Sequence, residues 1–277
     1  MRILKKTGWF IVSMLPVALA FLLNFVSVYI PVFIFILREM FVKGGAGSFQ
    51  DILNAALNWC YDNLLLCTVI YHIIEIVVFG IWYYLAYGRK KREAYPERPG
   101  ISQVGFIVLL GAALQVLTSS GLNFVYYVCP GLLQGFEELM EITGLSEFTL
   151  LSFAAAVILA PLGEEFLCRG IVLRLAGKVS GRFFVANLIQ AFAFGVFHAN
   201  VVQGIYAFGM GLALGYIYGK YHNIWICVLL HSVINSSSFL VDHYLALFPE
   251  TYAACFINIL LGGLLIFFSI KKLGKIS

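Results

Sequence analysis

Residues 147–175 read EFTLLSFAAAVILAPLGEEFLCRGIVLRL. The stretch is apolar enough and long enough to cross a bilayer, which takes about 20 residues, yet its middle carries Glu164, Glu165 and Arg169. Each ionisable side chain in a span costs at least about 2.5–3.5 kcal/mol on insertion scales, so such groups face protein or water and mark function. The rest of the chain makes lipid the expected solvent. Of its 277 residues 61% are hydrophobic and 12% charged, against about a quarter charged in a soluble domain.

Similar apolar runs recur from end to end, which predicts an all-α, polytopic transmembrane bundle with no room for a large soluble domain. About eight spans are expected, near 8–37, 63–87, 101–123, 147–175, 183–200, 202–219, 223–243 and 251–270. The first begins like a signal peptide, but its apolar part is too long and lacks a small-residue cleavage site, so it reads as a retained span. Pro16 and Pro31 suggest that it is kinked, broken or tilted. Basic loops (MRILKK, GRKKREAYPERPG, RLAGKVSGR, GKYHN, KKLGK) alternate with a second set (KGGAGSFQD, GFEELMEITGLSE, HANVVQG, DHYLALFPE) that taken together is acid-rich. Lysine and arginine mark the cytoplasmic side, so both termini are expected there. The net charge of +4 is this orientation signal and implies no nucleic-acid partner. Segment 130–146 reads as an external loop with a short interfacial helix. Gly211, Gly215 and Gly219 recur on one helical face and read as a packing seam. The six cysteines (Cys60, Cys67, Cys129, Cys168, Cys227, Cys255) show no CxxC spacing and read as small packing residues.

Four places carry polar groups inside spans. On a helix Glu165 and Arg169 share a face and form a structural ion pair. Glu164 is rotated by about 100° from its neighbour and lacks that partner, so it is the carboxylate left for chemistry. His198 lies one turn beyond Phe194, whose ring is placed to wall the imidazole. His231 and Asn235 project from one face, and an amide such as that of Asn235 can donate to a developing oxyanion. His72 and Glu75 sit three apart and read as a local pair with a structural or substrate-channel role; nothing else beside them looks like a catalytic set. His222 and His243 read as ordinary interface residues. Counting from cytoplasmic helix ends puts Glu164 and His198 roughly 18–23 Å deep and His231 roughly 12 Å deep, a mismatch that tilt or shifted boundaries must remove for one site to form. Together these residues offer a base for water, a proton shuttle and oxyanion donors, as amide hydrolysis requires.

The motifs Glu164-Glu165-Phe-Leu-Cys-Arg169, Phe194-Gly-Val-Phe-His198 and His231-Ser-Val-Ile-Asn235, in this order, resemble the CAAX-processing and bacteriocin-processing (CPBP, Abi) intramembrane proteases. Pro161 and Gly170 agree with the family's flanks, and Cys168 stands where many relatives carry phenylalanine. The resemblance divides the chain into N-terminal spans and a basic loop (1–99), a protease core (100–245) and a last span with a basic tail (246–277). It implies a bacterial cell-membrane endopeptidase acting on a peptide or protein substrate. In that reading Glu164 and His198 activate water, His231 and Asn235 stabilise the oxyanion, and Glu165 with Arg169 holds the site. Family members are also linked to bacteriocin immunity and signalling, which leaves a non-proteolytic partner of a sensor kinase or a bacteriocin system as the alternative. A transporter is a third reading, disfavoured by the lack of a repeat. The family's metalloprotease label raises zinc on Glu164, His198 and His231; without HExxH, a metal-independent mechanism is the expectation.

Overall fold

The computed structural model describes residues 2–42, 48–88, 98–145, 147–245 and 251–274, with the side chains of 2–3 and 242–245 excepted. The basic loop at 89–97, part of the second set of loops at 43–47 and 246–250, and the His243 side chain therefore lie outside the described residues. Ten helices make up the fold, with no strand among the described residues. They are α1 (Arg2–Val42), α2 (Phe49–Asp62), α3 (Leu64–Tyr83), α4 (Ile101–Val128) and α5 (Gln134–Ile142), then α6 (Leu150–Ser180), α7 (Phe183–Phe197), α8 (Val201–Tyr221), α9 (Ile224–Leu245) and α10 (Tyr252–Leu273).

Seven of them, α1, α3, α4, α6, α8, α9 and α10, are long and apolar enough to cross a membrane, and the protein is a multi-pass membrane protein. The expected fifth span, 183–200, is instead the 15-residue helix α7. At 1.5 Å per residue it is about 22 Å long. It stops at His198 because Ala199 takes a left-handed turn (φ 53°) and Asn200 caps α8 by accepting from the Gln203 amide. The first span is not broken: α1 runs unbroken through Pro16 and Pro31 for 41 residues, about 60 Å. A short amphipathic helix, α2, follows it where only a loop was expected. Ser48 and Asp51 form a capping box at its start, and Trp59 stacks on Phe35 of α1. Segment 130–146 contains the expected short helix, α5.

α6 is the axis of the bundle. Leu167, Cys168, Ile171 and Val172 are fully buried, while α1 and α10 turn broad apolar faces such as Ile30, Phe33, Leu264 and Phe267 outward. Four of the six cysteines are buried free thiols, Cys168 among them. The glycine seam does what its spacing promises. A Cβ added to Gly211 would press on Ala191 and Phe194, one on Gly215 would overlap the Asn187 and Gln190 amides, and one on Gly219 would overlap the Phe183 ring. α7 and α8 thus lie backbone to backbone, with Gly195 and Gly204 in contact at the far end. Side-chain amides tie the pair: Asn187 donates to the Leu212 carbonyl (3.1 Å) and Gln190 to the Gly211 carbonyl (2.8 Å).

Gly215→Ala must displace those amides, so thermal unfolding in detergent should show a loss of about 1–3 kcal/mol. Gly209→Ala meets nothing within 4 Å and should leave the melting temperature unchanged or raise it slightly.

Candidate active site

The site begins with an irregularity in α6. Pro161 has no N–H to give the preceding turn, and the helix widens into a π-helical stretch at Ala154–Leu159 just before it. A second π stretch, Phe166–Val172, follows the two glutamates. Such bulges concentrate at functional sites. Between them, Ala160–Glu165 is regular α-helix and presents Glu164 and Glu165 in different directions.

Glu165 is fully buried, as is Arg169. Arg169 Nη1 donates to Glu165 Oε1 at 2.7 Å, the pair expected from the spacing. The other end of the guanidinium donates to the Gly211 carbonyl of α8 at 3.2 Å, and its carbon lies 5.0 Å from the Phe194 ring centre. Glu165 does more than neutralise Arg169. The same Oε1 accepts from His231 Nδ1 at 2.9 Å, so the carboxylate fixes an imidazole of α9 66 residues away in sequence. The opposite nitrogen, His231 Nε2, stands 3.6 Å from Glu164 Oε2. One imidazole therefore bridges the two adjacent glutamates. The counted depth mismatch does not keep the residues apart, since His231 Nε2 and Glu164 Oε2 lie 3.6 Å from each other.

His198 caps the C-terminus of α7. Its Nδ1 meets the Phe194 carbonyl at 2.8 Å; a carbonyl can only accept, so Nδ1 carries the proton and Nε2 is left to face the site. Phe194 walls this imidazole edge-on, with ring centres 4.8 Å apart, and touches the His231 ring as well (5.8 Å). Asn235 donates through Nδ2 to the Ala156 carbonyl at 2.7 Å, within the first π stretch, which uses one of its two N–H groups.

His72 and Glu75 form the local pair expected from their spacing, and the structure sets that pair beside Glu164. α3 packs on α6 where Gly163 lacks a side chain; a Cβ there would collide with the Glu75 carboxylate. Glu75 is thus seated against the residue preceding Glu164. His72 Nδ1 bonds to Glu75 Oε2 at 2.9 Å, and His72 lies within charge–charge range of Glu164 and His231. Tyr71 joins them from the same face, stacked on Phe197 (6.4 Å). The available signal was a carboxylate in a span with no lysine or arginine on its own helix. His222 lies apart at the α8 C-cap in a left-handed turn.

Among the described residues, no three His, Cys, Asp or Glu side chains stand together as ligands for one ion. An open apolar groove of about 520 Å³ between α7 and α8 is lined by Phe192, Val196 and Ile205 among others, on a different flank of α7 from Phe194 and His198.

Residues 146–237 match the family model described as "Type II CAAX prenyl endopeptidase Rce1-like". The chain is also similar to the protein of Bacillus subtilis (strain 168) named "Putative membrane peptidase YdiL", at 23% identity over 193 residues, covering 70% of this chain and 75% of that protein. No solved structure matches it at a significant level. The segment that matches the Rce1-like model contributes both adjacent glutamates, Arg169, His198, His231 and Asn235.

Proposed function

We propose that this protein is an intramembrane endopeptidase of the bacterial cell membrane, which hydrolyses a peptide bond in a membrane-associated protein or peptide. The observation that carries the reading is His231 held between Glu165 and Glu164, 2.9 Å from one and 3.6 Å from the other. This is the wiring of a site in which one carboxylate positions and the other reacts.

In the proposed mechanism Glu164, assisted by His198 through Nε2, takes a proton from water as the oxygen attacks the carbonyl carbon. The remaining Asn235 N–H receives the oxyanion, joined in this proposal by His231 Nε2–H of a doubly protonated ring, since Nδ1–H is already given to Glu165. Glu165 and Arg169 hold His231 at the angle this requires. No step in this mechanism uses a metal. The family match and the name of the Bacillus relative support the peptidase class. The substrate's identity and any lipid on it are left to experiment.

The protein reconstituted in proteoliposomes with membrane proteins of its host should generate new N-termini, read by mass spectrometry. Glu164→Gln should lower the rate by about 10²–10⁴-fold and Asn235→Ala by about 10²–10³-fold, with both variants inserted and folded. Unaltered cleavage by Glu164→Gln would sink the mechanism. A phenotype retained by that variant would favour the non-proteolytic partner of a kinase or bacteriocin system instead. Cleavage should survive dialysis against a chelator, and added zinc should not raise it. Arg169→Met leaves Glu165 buried without its cation, so it should cost about 3–5 kcal/mol and appear as loss of folded protein rather than of catalysis.

A further inference from the structure

Three imidazoles, from three different helices, share one mode of attachment. His72 of α3 is held at Nδ1 by Glu75, His198 of α7 by the Phe194 carbonyl and His231 of α9 by Glu165. In each case Nε2 is the nitrogen without an anchor. The attaching groups Glu75 and Glu165 are sealed from solvent, whereas His72, His231 and Glu164 each keep 5–7% of their surface accessible. Anchors lie behind and working atoms in front.

The His72–Glu75 pair differs from the other two in its charge. Glu165 has Arg169 as a counter-ion, and the Phe194 carbonyl is neutral. Glu75 is fully buried, and the structure gives it no lysine or arginine among the described residues. Its described neighbours include His72, Tyr71 and the Gly163 backbone, with Glu164 and His231 within electrostatic range. A bare carboxylate cannot be kept there, so the pair retains a proton, either on His72 as imidazolium or on Glu75. Both forms leave a hydrogen on Nε2: an imidazolium has one there, and a neutral ring accepting from the Glu75 O–H at Nδ1 must bear its own at Nε2. Tyr71 and Glu75 interact with each other through their side chains, and both are buried.

We infer that His72 is a further catalytic residue, the acid that protonates the leaving amine, and that Glu75 positions it and supplies its proton. The inference rests on the peptidase reading above. As water's oxygen bonds to the carbonyl carbon, its proton goes to Glu164. As the C–N bond breaks, its electron pair stays on nitrogen, which takes the proton from His72 Nε2. The proton on Glu164 then returns to the His72–Glu75 pair. Water and amide become acid and amine, and the protein ends as it began. Neither His72 nor Glu75 falls within the matched segment 146–237, so this half of the site comes from the chain's own N-terminal part.

The test uses the peptide whose cleavage the proteoliposome experiment maps, synthesised with the scissile amide and, separately, with an ester in its place. An ester leaves as an alcohol and depends far less on protonation. His72→Gln should lower kcat on the amide by about 10²–10⁴-fold with KM unchanged, and on the ester by less than about tenfold. Glu75→Gln, which can still meet Nδ1 but carries no exchangeable acid proton, should show the same selectivity to a smaller degree. Glu164→Gln should lose both substrates, because both need activated water. Equal loss of amide and ester cleavage in His72→Gln would assign it a structural role and overturn the inference, as would full amide activity. A wild-type protein that cleaves neither form would overturn the peptidase reading itself.

Discussion

Glu165 Oε1 accepts from two donors at once, Arg169 Nη1 of its own helix and His231 Nδ1 of α9. Glu165 and Arg169 are both fully buried. The guanidinium extends the tie by donating to the Gly211 carbonyl of α8 and lying over the Phe194 ring of α7. Four helices are therefore registered on one carboxylate. A buried pair of this kind adds little net stability over apolar side chains of the same shape, but removing one partner strands the other charge. The bundle is specified by this contact more than it is strengthened by it.

Two further devices let the polar groups converge. The glycine faces of α7 and α8 bring the two backbones together, so that a helix of only 15 residues holds His198 at its end in a fixed place. The π stretches of α6 change its helical register on either side of the glutamates and expose a carbonyl, that of Ala156, which Asn235 takes up. Gly163 adds a third close approach and seats Glu75 beside Glu164. Each device sits next to a group that acts or positions in the proposed chemistry.

What could be read from sequence was what local spacing determines. Glu165 and Arg169 are four apart, so their pairing follows from helical geometry alone. The seam at Gly211, Gly215 and Gly219 follows in the same way, as does the nearness of Phe194 to His198. The bridge from His231 to both glutamates could not be read, because it joins residues 66 apart whose relative depth depends on how far each helix extends. For the same reason His72 and Glu75 were visible as a pair but not as neighbours of Glu164. The α7 helix was overestimated because apolar composition continues past His198, where the left-handed Ala199 ends it. Helix α2 was missed although Ser48 and Asp51 spell a capping box.

The i, i+4 spacing of Glu165 and Arg169 also bears on assembly. Helices enter the bilayer in chain order, and α6 is made before α8 and α9 have supplied the Gly211 carbonyl and His231. Because its cation and anion lie on the same helix, α6 enters lipid as a net-neutral pair and awaits its partners at modest cost. Glu75, made nearly a hundred residues earlier, has no such companion on α3 except His72. It must cross as a protonated acid or share its proton with the imidazole, so the proton assigned to the working enzyme is one the helix already carries on insertion.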